Sequence, residues 1–142
     1  MDVPCYSARF VEPFVQVLST YECYAAESLN KLRAIDPATR IPAAVANELA
    51  ARQVKQTGDA DLGLKAGRRM PLGRAGALDY AMHSAATVRD AIDVADRYTR
   101  LFSDLLSVDL ELDGDRATVR IESAMSPPRP VRDFTMSAWF AN

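Results

Sequence analysis

From Asp104 onward the apolar residues of this chain stop recurring every three to four positions and begin to recur every two. Leu106, Val108, Leu110 and Leu112 alternate with Ser107, Asp109, Glu111 and Asp113, and Ala117, Val119 and Ile121 alternate with Arg116, Thr118, Arg120 and Glu122. A period of two belongs to a strand with one apolar and one polar face. Asp113-Gly114 between the runs is a strong signal for a two-residue turn. With that loop, Leu110 falls opposite Ala117 and Val108 opposite Val119 on one face. Glu111 then meets Arg116 on the other, an opposite-charge match. An isolated hairpin is only marginally stable, so its apolar face must lie on helices or on strands of a partner chain.

Everything before Asp104 reads as helix. Phe10, Phe14, Val17 and Leu18 mark one face of a helix over residues 7–20, with Pro13 starting, ending or kinking it. A second stretch runs from about Glu22 to Leu32 and breaks at Asp36-Pro37. Pro42 suits the first position of a third helix, where its missing N–H costs nothing. Val45, Leu49 and Ala50 are its expected buried face, and Gly58 its stop. Asp59 is the expected N-cap of a helix reaching Arg69, with Leu62 and Leu64 turned inward. Pro71, Gly73 and Gly76 form a joint before a helix over residues 77–84. Thr87-Val88-Arg89-Asp90 resembles a capping box and opens the most regular helix. There Val88, Ala91, Ile92, Ala95, Tyr98 and Phe102 share one face. Arg89–Asp93, Asp93–Arg97 and Asp96–Arg100 are i, i+4 pairs on the other, each worth only about 0.2–0.5 kcal/mol. After the stiff Ser126-Pro127-Pro128-Arg129-Pro130 segment, another helix begins near Val131. The expected fold is α+β, mostly helical, with about six helices and an antiparallel hairpin near residues 105–123, in a single domain over residues 1–142.

Several function classes are disfavoured by composition. Seventeen basic and nineteen acidic side chains give a formal charge of -2, whereas a module that grips nucleic acid by itself is usually basic. No stretch approaches the roughly 20 apolar residues of a membrane helix, and the Met1-Asp2-Val3-Pro4 start has no secretory pattern. Cys5 and Cys23 have no metal-like spacing and read as reduced cytosolic thiols, with a disulfide between them as the alternative. With one histidine, His83, no metal site and no cofactor is expected. No serine or cysteine sits in a recognisable nucleophile elbow, so the chain reads as not an enzyme.

The remaining candidates are sparse. Gly63 and Gly67 lie four apart on one helix, where each costs about 1 kcal/mol relative to Ala, and close helix packing is the reason to accept that cost. They do not follow a strand and lack the P-loop ending, so a phosphate cradle is not expected. Arg68, Arg69 and Arg74 cluster around a turn. They would clamp an anionic effector, or form a solvated face, or pair with Asp59, Asp61 or Asp79. His83 follows Tyr80 by three on one helical face, a spacing that would orient a ligand or simply place two surface groups. A small-molecule pocket, if present, should be apolar with a few polar groups, with the Thr87 helix and the hairpin as one wall. Arg69, Tyr80, His83 and Tyr98 are the candidate ligand-binding residues.

The run Asp59-Ala60-Asp61-Leu62-Gly63-Leu64 to Gly67 carries a family resemblance. So do Met70-Pro71-Leu72-Gly73 and Gly76, Tyr80-Ala81, Ser84, Thr87, Ala91 and Arg97-Tyr98. Followed by the hairpin and the helix from Val131, they resemble the N-terminal regulatory, arabinose-binding-like domain of AraC-type bacterial transcription regulators. The resemblance spans about Arg9 to the end and is specific between Asp59 and Tyr98. It implies an effector-sensing, homodimerising cytoplasmic domain that reaches DNA only through a part absent from this chain. The second regulatory stretch and the helix-turn-helix units of such regulators are not visible here, so the chain reads as trimmed before them. Ala85-Ala86 stands where relatives tend to carry a proline-containing turn. No ligand-contacting motif is shared across the branch, so the resemblance assigns no binding residue. The alternative reading is a free-standing α+β ligand-binding or assembly module. If the chain is cut within a larger domain, Phe134, Trp139 and Phe140 are the apolar side chains expected to be left uncovered.

Overall fold

A computed structural model describes residues 3–140 of the chain. Its elements run β1 (Cys5–Ser7), a 3₁₀ turn, α1 (Val11–Leu18), α2 (Ala26–Arg33), β2 (Arg40–Pro42), α3 (Ala43–Thr57), α4 (Leu62–Arg68), α5 (Ala77–His83) and α6 (Val88–Tyr98). A second 3₁₀ turn, β3 (Leu106–Asp113), β4 (Arg116–Ser123) and α7 (Arg129–Phe140) complete the fold. The class is α+β and mostly helical, as expected, with seven α-helices rather than about six among the described residues. None of them is long and apolar enough to cross a membrane.

The hairpin forms with the expected faces but with its register moved by two residues. Leu110 pairs with Val119, Val108 with Ile121 and Asp113 with Arg116, so the loop is Gly114-Asp115. Gly114 has φ 59, the left-handed value that the first central residue of a type II′ turn requires and that glycine accepts most readily. A shift of two leaves each side chain on its own face. Glu111 therefore stands opposite Thr118 and reaches diagonally to Arg120 at 3.3 Å.

A second, short pairing was not legible in the sequence. β1 and β2 run antiparallel, with Tyr6 opposite Ile41. On its other edge β1 bonds to the segment entering β3: Ser7 N donates to the Phe102 carbonyl at 2.7 Å and Asp104 N to the Cys5 carbonyl at 3.1 Å. Arg40 adds an ion pair to Asp104 and a hydrogen bond of 2.7 Å to the Leu101 carbonyl. Three residues of β1 thus join the N-terminus, the start of α3 and the base of the hairpin.

Small residues decide how the helices pack. Leu62, Gly63, Ala66 and Gly67 are the buried stripe of α4. A Cβ on Gly63 would overlap the Pro130 carbonyl, and one on Gly67 would sit 2.6 Å from Ser137 Cβ. The two glycines are the seat of α7, which Ser137 Oγ fastens by donating to the Leu64 carbonyl at 2.9 Å. Val15, Val17, Leu18, Leu29, Leu62, Met70 and Phe134 fill the core between α1, α2, α4 and α7.

Several expectations on facing are corrected. Leu64 is exposed because it lies about 200° round the helix from Leu62. Val45 is exposed because the buried stripe of α3 is Ala43, Ala50 and Gln53. On α6 only Ile92 and Ala95 are buried, while Val88 is 78% exposed, since α6 packs mainly on α5 and β3. None of the three expected ion pairs on α6 forms among the described residues, though Arg89, Asp93, Asp96, Arg97 and Arg100 all face water. Pro42 ends β2 and caps α3 instead of beginning it, while Gly58 closes α3 at φ 68 as expected. Thr87 caps α6, accepting from Asp90 N at 3.1 Å. Its hydroxyl in turn donates to the Asp90 carboxylate at 2.8 Å.

Asp59 lies two residues before the α4 N-cap, Asp61. It accepts from Asp61 N at 3.0 Å, from Lys65 Nζ at 2.7 Å and from the Tyr21 hydroxyl. Burial raises the Asp59 pKa, but the bonds from Lys65, Tyr21 and the Asp61 amide outweigh it and hold the carboxyl below its usual range. Cys5 and Cys23 are free thiols.

Candidate functional site

Beside the core, the helices leave a cavity of about 230 Å³. Phe10, Val11 and Phe14 enter it from the first turns, and Ala46, Leu49, Ala50 and Gln53 from α3. Leu78, Asp79, Met82 and His83 come from α5, and Val131, Phe134, Thr135, Ala138 and Trp139 from α7. The aromatic side is continuous. Phe10 meets Phe134 edge-on at 5.6 Å between ring centroids, Phe14 meets Phe134 at 5.0 Å, and Phe102 lies 6.0 Å from Phe10. A second hollow, between the end of α6 and the hairpin base, is lined by Asp96, Arg100, Asp104, Ser107 and Glu122. Leu105, Leu106 and Ala124 complete its lining, so it is more polar than the mostly apolar pockets that bind small organic ligands.

Several polar groups around the cavity are already committed. Asp79 accepts from Ala75 N at 2.9 Å. Thr99 donates to the Ala95 carbonyl at 2.5 Å, and Thr135 to the Val131 carbonyl at 3.0 Å. His83 Nδ1 lies 2.8 Å from the Asp79 carbonyl. A carbonyl only accepts, so Nδ1 is the donor of this bond and Nε2 is left free of it. Burial pushes the Tyr6 phenol up, against an opposing pull from the Asn47 amide. Gln53 differs from these groups. It is only 4% exposed, lines the cavity, and its side-chain amide has no hydrogen bond among the described residues.

Of the four candidate ligand residues, His83 alone lines this cavity. Arg69 is exposed at the end of α4 and forms no ion pair among the described residues. Tyr80 points away, 62% exposed, its hydroxyl over Gly73. Tyr98 is largely exposed near the end of α6. The Thr87 helix and the hairpin are not the main wall. The stretch from Thr87 through the hairpin gives the cavity only Thr99, Phe102 and Leu106.

Phe134 is buried and Trp139 half-buried against the cavity, so of the three aromatic side chains expected to be left uncovered only Phe140 is, at 82%. Gln53 was missed because a glutamine in a polar helix reads as solvent-facing. The available signal was its spacing: it lies three, four and seven residues after Ala50, Leu49 and Ala46, on one face. Among the described residues no three His, Cys, Asp or Glu side chains gather where a metal would be held.

Compared with known proteins, residues 19–142 match the family described as the arabinose-binding domain of AraC transcription regulator, N-terminal. No curated protein matches the chain.

Proposed function

The chain belongs to the family of N-terminal arabinose-binding domains of AraC transcription regulators, and on that premise we propose that its cavity is the effector site of a transcription regulator. The observation that carries this reading is the apolar hollow shared by α1, α3, α5 and α7. Its volume of about 230 Å³ lies just below the roughly 300–1,000 Å³ usual for pockets that hold drug-sized ligands. The effector is therefore small.

α7 is the element that turns occupancy into a signal. It gives the cavity Phe134 and Trp139 on one side and rests on Gly63 and Gly67 on the other. A ligand acts only if it binds one arrangement better than another, and a coupling of about 1–3 kcal/mol is typical. A helix seated on backbone contacts favours discrete positions over a continuum. In this reading the domain works in a bacterial cytoplasm as a homodimer and reaches DNA through a separate helix-turn-helix part.

The site senses and does not catalyse. No cysteine lines it, the Thr99 and Thr135 hydroxyls are spent on backbone carbonyls, and Ser7 Oγ accepts from Arg9 N at 3.3 Å with no base beside it among the hydrogen bonds of the described residues. The Nδ1 of His83 is likewise held by a carbonyl.

Screening metabolites for a rise in melting temperature tests the proposal, with Ala50→Phe as the blocked form. Ala50 is buried at the cavity wall, so a phenyl group there fills the space a ligand needs. The expected result is a ligand-dependent shift in the native chain that Ala50→Phe loses while still melting cooperatively. A shift that survives in Ala50→Phe would place the effector elsewhere.

A further inference from the structure

We infer that the cavity takes a compact, uncharged aromatic molecule carrying a single hydroxyl group, and that the Gln53 amide is what recognises the hydroxyl. This rests on the reading of the cavity as the effector site.

Charge comes first. Among the described residues no lysine or arginine lines the cavity, and the one carboxylate there is Asp79. An anionic ligand would bury its charge unpaired and face that carboxylate, an arrangement that costs several kcal/mol or forces neutralisation. Carboxylates and phosphates are therefore poor ligands here.

Polarity comes second. A pentose carries about four hydroxyls, and each one buried without a partner costs about 1–3 kcal/mol. Thr99 and Thr135 already donate to backbone carbonyls, and the polar groups that remain stand among mostly apolar side chains, so a sugar's hydroxyls are not met all round. The family's name refers to a sugar, whereas this cavity's walls are mostly apolar side chains.

The Gln53 amide opens on the cavity without a hydrogen bond to another described residue. A primary amide both donates and accepts, and buried polar groups in native proteins are almost always hydrogen-bonded, to protein, ligand or ordered water. A hydroxyl also donates and accepts, so one hydroxyl satisfies the amide in either sense. The rings of Phe10, Phe14, Phe102 and Phe134 already pack tilted or edge-on at 5.0–6.0 Å, and one more ring extends that pattern.

Trp139 is the chain's one tryptophan and lines the cavity, so its fluorescence reports occupancy directly. The full chain is titrated with p-cresol, p-xylene, 4-methylbenzoate and L-arabinose, following Trp139 emission and melting temperature. The expected result is that p-cresol binds at least about tenfold tighter than p-xylene, the worth of one good hydrogen bond, while 4-methylbenzoate and arabinose leave both signals unchanged. Gln53→Leu should keep p-xylene binding and shrink the cresol preference to less than about twofold. Gln53→Met serves if the leucine variant does not fold.

Equal binding of cresol and xylene to the native chain overturns the ligand class and the role of Gln53, with the cavity still a binding site. So does binding of the benzoate or the sugar, or a preference unchanged in the variants. If none of the four compounds moves Trp139 emission or melting temperature, the effector-site reading falls as well.

Discussion

Gly67 of α4 lies so close beneath Phe134 of α7 that a methyl group on Gly67 would stand 2.7 Å from the Phe134 carbonyl oxygen. The ring of the same phenylalanine lines the cavity. One backbone contact therefore sets both the seat of α7 and the position of an aromatic side chain facing the ligand.

Gly63→Ala and Gly67→Ala should each destabilise the domain. Alanine gains about 1 kcal/mol of helix propensity, but the added methyl meets backbone atoms of α7 that cannot rotate away. Overpacking of this kind costs about 1–3 kcal/mol, more when nothing yields, so the net effect is a loss. Urea denaturation should show a lower midpoint for both variants, and a midpoint at or above that of the native chain would contradict the packing argument.

Acid should weaken the fold through Asp59 and Asp104. The Cys5 amide and then Arg40 hold the Asp104 carboxyl below its usual range. Lys65 and Tyr21 do the same for Asp59 against its burial. A carboxyl with a lowered folded pKa binds fewer protons folded than unfolded. Its contribution is present above the unfolded value of about 3.9 and is lost as pH falls through the folded value. Asp59→Asn and Asp104→Asn should be less stable than the native chain at pH 7 and lose less on going to pH 3. The exposed Arg40–Asp104 pair should contribute under about 1 kcal/mol. Urea midpoints at the two pH values measure this.

The hairpin's apolar face should split into two halves. Val108 is buried, whereas Leu112 is about half exposed. Val108→Ala removes packed methyl groups and should cost about 2 kcal/mol. Leu112→Thr should stay within about 0.5 kcal/mol. Chemical denaturation separates the two, and equal losses would mean that the hairpin tip is covered in solution.

The N-terminus of α6 offers a paired comparison. Thr87→Ala removes the hydroxyl that accepts from Asp90 N and should cost about 1 kcal/mol. Val88→Ala, at a largely exposed position, should cost less than about 0.5 kcal/mol. The order would reverse if Val88 were the buried anchor that its periodicity suggests.

Features fixed by neighbours in sequence were legible without coordinates. The alternation of Leu106 to Ile121 gave the hairpin and its faces, Gly58 the end of α3, Thr87 the start of α6, and the Gly63–Gly67 spacing a close helix crossing. The register slipped by two because Asp113-Gly114 and Gly114-Asp115 are both acceptable turns, and parity alone does not separate them.

Local rules act over a few bonds: a turn needs a positive φ, a cap needs a hydroxyl, and a helix face needs a stripe. Those demands are written residue by residue, and they set the elements of this chain and their apolar sides. Which stripe is covered, and which polar group is left without a partner, depends on elements that meet only after folding. Val45 and Val88 ended in water and Gln53 in a wall of aromatic and aliphatic side chains for that reason. The cavity joins Phe10, Gln53, His83 and Trp139 from four separate helical segments, and no local periodicity could bring them together.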